Sequence, residues 1–360
     1  MITRLGNGLV LGFLFAASFA WAGQRSAGST DEGQQITNRG ELDFSNSERA
    51  LIQNSVLARH QAQGLAQAQQ APDATSSTIA TFGFSQTPSQ PSGESANEVS
   101  TGHYEIPFQT YRDYLIVVQG SLGDTRRLNF IIDTGTNPSV VDSRIAQKLH
   151  MAGVGAKLGV HNQVVEVQKA VVPSLQIGAL RAKFLPVLVR DLTFLQQGLG
   201  IRIDAVIGLD VLSLSNFSID YTTKRIVFGA APVSGSSAPF QTTPPWLTVQ
   251  MEVNGVSIHL LLDTAASGII LFHSRIRDRV PQLTRLGERM SSNMGGDFPL
   301  QLVLLASTKI SETDFGQQSA FVVEDQEDSS REFDGLLGPA ALGLKQISFD
   351  FQRRTFSWRR

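Results

Sequence analysis

Three separated motifs of this chain occur twice at one constant spacing. FIIDTGTNPSVV around Asp133 is matched by LLLDTAASGIIL around Asp263. DAVIGLDVL at Asp204–Leu212 is matched by DGLLGPAAL at Asp334–Leu342, and NFSIDYTTKRIVF at Asn216–Phe228 by QISFDFQRRTFSW at Gln346–Trp358. The offset is 130 residues each time, measured at Asp133 and Asp263, Gly208 and Gly338, and Asp220 and Asp350. A repeat that keeps three motifs in register means two copies of one folding unit. Within each copy the pattern is β. Runs such as Tyr114–Gln119, Leu128–Ile132, Val164–Val167, Phe184–Val189 and Ile226–Phe228 are separated by Gly, Asn, Asp or Pro turn signals. Only Ser143–His150 and Ser274–Val280 are expected to make helices, of about two turns each. The chain is therefore expected to be all-β, with one lobe over 103–230, a linker over 231–245 and a second lobe over 246–360.

The residues before the repeat read differently. In residues 1–22, Arg4 precedes an apolar run from Leu9 to Phe19, and Ala20-Trp21-Ala22 follows with small residues flanking one large one. That is the layout of a secretory signal peptide, and the run is short for a membrane span; an uncleaved N-terminal anchor is the alternative. No other stretch approaches the length of a spanning helix, so no transmembrane span is expected after the signal is removed. Residues 23–102 are rich in Gln, Ser, Ala, Gly and Thr, a low-complexity linker or pro-segment that cannot bury enough apolar surface to fold alone. Within it, Ser45 and Glu48 have capping-box spacing, and Leu51, Ile52, Val56 and Leu57 share a face, so a short amphipathic helix is expected over Ser45–Gln70. It is either a helix in a spacer or a pro-segment that docks with Arg49 and Arg59 near the site.

Composition narrows the chemistry. There is no cysteine, which excludes a disulfide framework, a Cys-ligated zinc site and a thiol nucleophile. Thirty Lys and Arg against 32 Asp and Glu leave a formal charge of −2, which argues against a nucleic-acid partner. His60, His103, His150, His161, His259 and His273 show no metal-ligand spacing, so neither a metal nor a cofactor is expected. GVGAKLG at 153–159 lies out of register for a dinucleotide fingerprint and is expected to be a loop. No G-x-S-x-G or S-x-x-K array offers a serine nucleophile.

The repeated aspartates remain. In each copy an apolar strand runs into Asp-Thr, and a carboxylate at the end of a buried strand is costly unless hydrogen-bonded or paired. A pseudo-twofold arrangement would bring Asp133 and Asp263 together. Two close carboxylates do not both ionise easily and share one proton, so one can act as base to a water and the other as acid to a carbonyl. Asp204 and Asp334 are expected instead to satisfy backbone donors beside the Gly208 and Gly338 loops, and Asp220 and Asp350 to serve strand ends or turns. Arg353, Arg354, Arg359 and Arg360 read as a solvated terminal strand.

On these residues the chain resembles the aspartic peptidases, most closely the retropepsin-like and pepsin-like clan in its bacterial exported form. Asp133-Thr134-Gly135-Thr136 matches the family's Asp-Thr-Gly-Ser/Thr motif. Val206-Ile207-Gly208 and Leu336-Leu337-Gly338 match its hydrophobic-hydrophobic-Gly signature. The resemblance implies a bilobal acid-protease fold, each lobe about the size of a retropepsin subunit, with Asp133 and Asp263 as the catalytic pair. It implies that Thr134 and Thr264 lock the two loops across the lobe interface and that Thr136 donates to the first carboxylate. Ala266, the counterpart of Thr136, has no donor, so an asymmetric pair is expected, with an optimum less acidic than pepsin's. The second motif departs from the family at Ala265, where glycine is usual; a Cβ there would crowd the substrate or push the carboxylates apart.

The resemblance also implies a flap hairpin after each aspartate. Leu158–Val167, with a tip at His161, Asn162 and Gln163, is the candidate in the first lobe, and Ser291–Leu300 in the second. The expected function is exported, periplasmic or extracellular, aspartic endopeptidase activity on an extended peptide or protein substrate, by a monomer with fused lobes. The alternatives are a catalytically weak or inactive peptide-binding protein of the cell envelope, and an enzyme whose lobes pair with another chain.

Overall fold

A computed structural model of the chain describes residues 103–160, 163–229, 232–243, 246–280, 283–293, 296–325 and 332–360. The signal segment 1–22, the stretch 23–102 and the helix expected over Ser45–Gln70 lie outside the described residues. No helix among the described residues is long and apolar enough to cross a membrane.

The first copy of the repeat begins with β1 (Tyr104–Pro107), β2 (Gln109–Tyr111), β3 (Leu115–Leu122), β4 (Thr125–Ile132) and β5 (Val140–Asp142), followed by α1 (Ser143–Lys148). It continues through β6 (Val154–Val160), β7 (Gln163–Ile177), β8 (Leu180–Arg190), α2 (Thr193–Leu199), β9 (Ala205–Ile207), α3 (Leu209–Leu212), β10 (Phe217–Asp220) and β11 (Arg225–Phe228). The second copy has β12 (Ser236–Thr243), β13 (Trp246–Val253), β14 (Val256–Leu262), β15 (Ile269–Phe272), α4 (His273–Ile276), β16 (Thr284–Asn293) and β17 (Gly296–Ile310). β18 (Thr313–Val323), β19 (Gly335–Leu337), a 3₁₀ turn (Pro339–Leu342), β20 (Gln346–Asp350) and β21 (Thr355–Arg359) complete it.

The sheets repeat as the motifs do. Strand order in the first lobe runs β3-β4-β9-β5-β8-β7-β6, with β2 outside β3, and in the second β13-β14-β19-β15-β18-β17-β16. The two seven-strand orders correspond strand for strand. The fold is all-β and bilobal, as expected. Between the lobes β1-β11-β10-β20-β21-β12 form a shared sheet continuous with the second lobe. Its centre is the antiparallel pair β10–β20, in which Ser218 faces Ser348, its own repeat equivalent. The pseudo-twofold axis therefore passes between these two serines. Beside them the Phe217 and Phe349 rings stack at 4.8 Å, and both are fully buried along with Phe228, Phe356 and Trp358. Burying one such side chain contributes roughly 1.5–3 kcal/mol, so this seam holds the lobes together without a disulfide.

β4 and β14 end in Phe130-Ile131-Ile132 and Leu260-Leu261-Leu262, buried at every position. A continuous apolar run rather than an alternating one fits a strand covered on both faces. α1 is capped by Asp142, whose carboxylate accepts from Arg144 N at 3.0 Å. α4 is a single turn at His273–Ile276, shorter than the helix expected to reach Val280.

The loop expected at 153–159 is a strand. β6 pairs with β7 from Val154↔Lys169 to Val160↔Gln163. Its Gly, Ala and Lys content signals no strand, but a sheet edge takes its order from the ladder of its neighbour, and tertiary pairing overrides a weak propensity. The junction also differs from a loose connection, because Ser236–Thr243 is β12. It pairs with β21 at Ala238↔Phe356 and with β13 at Phe240↔Val249. Ser, Pro and Gln there give little strand signal of their own.

Candidate active site

β9 lies between β4 and β5, parallel to β4 at Ile131↔Val206 and antiparallel to β5 at Val140↔Val206. β19 is inserted likewise between β14 and β15. The chain leaving β4 must therefore loop around the end of β9 before returning as β5, and Asp133 opens that loop. Asp133 N donates to Ile207 O at 3.0 Å, and Asp263 N to Leu337 O at 3.0 Å. The glycine after each inserted strand is required by close approach. A Cβ on Gly208 would lie 2.2 Å from Thr136 O, and one on Gly338 2.2 Å from Ala266 O.

The loops are tied to each other across the lobe interface. Thr134 Oγ1 donates to Leu262 O at 2.7 Å and accepts from Thr264 N at 3.1 Å. Thr264 Oγ1 donates to Ile132 O at 2.9 Å and accepts from Thr134 N at 3.1 Å. All of these groups are buried, and each hydroxyl is used both as donor and as acceptor.

This lock brings Asp133 and Asp263 together. Both are fully buried, the Asp263 carboxyl lies against Gly135, two residues from Asp133, and the charge of Asp133 acts on it. Their partners differ. Asp133 Oδ1 accepts from Gly135 N at 2.7 Å and its Oδ2 from Thr136 Oγ1 at 2.7 Å. Asp263 Oδ1 accepts from Ala265 N at 2.8 Å, while its Oδ2 has no donor among the described residues. Burial raises both carboxyls above the usual range, but Thr136 and Gly135 pull Asp133 back. For Asp263 burial is reinforced by the charge of Asp133, which holds it well above the usual carboxylate range. Asp133, with the better donors, is therefore the more easily ionised of the two, and Asp263 the more readily protonated.

Gly135 and Ala265 occupy equivalent places and are not equivalent. A Cβ on Gly135 would stand 2.6 Å from Asp263 Cγ. Ala265 carries that Cβ, and it is fully buried in a first-lobe cluster with Tyr114, Val117, Ile131 and Val206.

The remaining sequence-derived residues take several places. Asp204 Oδ2 accepts from Asn129 N at 2.9 Å and Asp334 Oδ2 from His259 N at 3.0 Å, so both bind backbone as expected. Asp220 accepts from the Thr222 and Thr223 amides at 2.9 Å, and Asp350 from Arg353 N at 2.9 Å, both at turns. Of the terminal arginines, Arg360 is more than solvated: its guanidinium lies 4.3 Å from the Phe315 ring centroid and donates to Asp314 O at 2.7 Å. Both expected hairpins are present, as β6–β7 and β16–β17. His161 and Asn162 lie outside the described residues; Gln163 begins β7 opposite Val160.

Two features carry no motif in the sequence. Ser139 Oγ donates to Asp210 Oδ1 at 2.7 Å and accepts from Gly208 N at 2.9 Å, while Ser139 N donates to Asp210 Oδ2 at 2.9 Å. Burial lifts the Asp210 carboxyl to about 6. The repeat does hold an indirect signal for this pair, since Ile269 and Ala340 replace both members in the second lobe. The other feature is Tyr114, which shares a buried first-lobe cluster with Ala265 of the second lobe.

Residues 118–211 and 249–340 each match a family model described as aspartyl protease, together just over half of the chain. No curated protein matches it.

Proposed function

We propose that this chain, which belongs to the aspartyl protease family, is an exported endopeptidase that hydrolyses peptide bonds with a water activated by Asp133 and Asp263. The observation that carries this reading is the pair of fully buried carboxyls, on loops joined by the Thr134–Thr264 exchange, with unequal hydrogen-bond donors. Charged Asp133 takes a proton from the water as its oxygen bonds to the peptide carbonyl carbon. Protonated Asp263 gives its proton to the carbonyl oxygen, so the tetrahedral intermediate forms as a neutral diol. Collapse breaks the C–N bond. The leaving nitrogen takes a proton from Asp133, and one diol hydroxyl returns its proton to Asp263. Two products, an acid and an amine, leave with the pair in its starting state.

The substrate of this reading is an extended peptide bound by a monomer with fused lobes, its main chain pairing with the β6–β7 and β16–β17 hairpins. Residues 1–22 support a periplasmic or extracellular destination. Incubation with an unstructured protein between pH 3 and 7 tests the activity. Cleavage is expected from the wild type, and none from Asp133→Asn or Asp263→Asn; cleavage surviving either substitution would overturn the assignment.

Ala265 favours a second reading, a weak or inactive peptide-binding protein of the envelope, because its Cβ stands where the equivalent Gly135 has no room for one. Peptide binding without cleavage by folded wild type distinguishes that reading.

A further inference from the structure

Tyr114 closes a turn, its N donating to Tyr111 O at 3.3 Å, immediately before β3. It belongs to a buried cluster that also holds Ile131, Val140 and Val206, which sit on the strands that build the Asp133 loop, and Ala265 of the opposite lobe. The side chain is only 7% exposed, yet its hydroxyl has no hydrogen-bond partner among the described residues. Leaving a buried donor unmade costs about 1–3 kcal/mol. Phenylalanine would fill the same space without that cost. Two further polar atoms on the opposing loop, Asp263 Oδ2 and Ser267 Oγ, are also unpartnered among the described residues.

The buried hydroxyls of Tyr104 and Tyr221 also lack partners among the described residues, and the contrast is informative. Tyr104 stacks on Phe228 at 5.1 Å and Tyr221 meets Phe108 edge-on at 6.2 Å, and burial alone acts on their hydroxyls. On Tyr114 the Asp263 carboxyl, when ionised, adds to burial, with Arg112 opposing, so this hydroxyl lies within electrostatic reach of Asp263. Kept protonated, it is a donor in need of an acceptor. Main-chain carbonyls are what an extended peptide brings to this place.

We propose that the Tyr114 hydroxyl donates a hydrogen bond to the peptide held beside Asp133 and Asp263, which makes Tyr114 a substrate-contacting residue outside the flaps and the Asp-Thr motifs. The proposal rests on the peptide-processing reading above. Tyr114→Phe removes the hydroxyl and keeps the packing, so it is the variant to measure beside wild type and Asp133→Asn. Three readouts are needed: thermal unfolding, kcat and KM on an unstructured protein, and Kd for a statine-type peptide. The expected result is an unchanged or higher Tm, kcat/KM lower by about tenfold or more, and weaker inhibitor binding. If wild type cleaves and Tyr114→Phe equals it in kcat/KM and Kd, the proposal is overturned while the peptidase reading stands. If wild type binds the peptide without cleaving, the peptidase reading fails. In that case about tenfold weaker binding by Tyr114→Phe still supports the hydrogen bond, and equal binding overturns it. Neither cleavage nor binding by folded wild type overturns both.

Discussion

Thr134 and Thr264 are hydrogen-bonded to each other in both directions, the amide of each donating to the hydroxyl of the other at 3.1 Å. Each hydroxyl in turn donates to a carbonyl of the opposite lobe, Leu262 O and Ile132 O. The approach of the two carboxyls depends on this exchange, because Asp133 and Asp263 are the residues immediately before the two threonines.

Replacing Thr134 by Val keeps the shape and leaves the Leu262 carbonyl and the Thr264 amide buried without their partner. A loss of about 2–3 kcal/mol in stability is expected, together with loss of activity. Thr134→Ser should recover most of both. Urea unfolding and the cleavage assay on the three proteins check this; a fully active Thr134→Val would show that the lock is dispensable.

Gly135 and Ala265 yield opposite predictions. Gly135→Ala puts a Cβ 2.6 Å from Asp263 Cγ, and displacing a reacting group by about 1 Å costs roughly 100-fold in rate. Ala265→Gly removes a buried methyl from the first-lobe cluster, so we expect several-fold higher kcat and a stability loss of about 1 kcal/mol. Steady-state kinetics with thermal melts read both changes.

The asymmetry of the pair fixes the direction of a pH effect. The proposed mechanism uses Asp133 charged and Asp263 protonated. The Thr136 hydroxyl holds Asp133 down, so Thr136→Val should raise it and move the acid limb of the kcat/KM profile to higher pH. The alkaline limb, set by Asp263, should move less. A wild-type optimum near pH 2 would contradict the assignment.

Asp210 makes stability pH-dependent. Its folded value of about 6 lies above the unfolded value of 3.8, so the folded state binds a proton that the unfolded chain releases. The stabilising contribution is complete below the unfolded value and is lost as pH rises through about 6. The loss amounts to at most about 3 kcal/mol. Chemical denaturation of wild type and Asp210→Asn at pH 4.5 and 7.5 measures it, and the stability gap between the two proteins should shift in favour of the variant at the higher pH.

Much of the site is legible in the sequence because symmetry leaves a periodic trace. Asp133 and Asp263, Gly208 and Gly338, and the backbone-binding pair Asp204 and Asp334 all stand at one offset, so a single inference places both members of each pair. Ser139 and Asp210 lie within the repeated motifs but lack counterparts, and a broken repeat is the only trace they leave. β6 and β12 leave none, because their ladders are supplied by β7, β13 and β21, which are remote from the local composition that sequence patterns report.

By itself, then, the sequence determined the all-β plan of two related lobes and the two carboxylates on which they converge, since a repeat of apolar strands ending in Asp-Thr admits little else. Only the tertiary structure decided how those carboxylates differ. The Thr136 donor on one side, the open Oδ2 of Asp263 on the other, the buried methyl of Ala265 and the unpartnered hydroxyl of Tyr114 are through-space relations between segments far apart in the chain. Hydrogen bonding and desolvation act on such distances, and spacing along the sequence does not encode them.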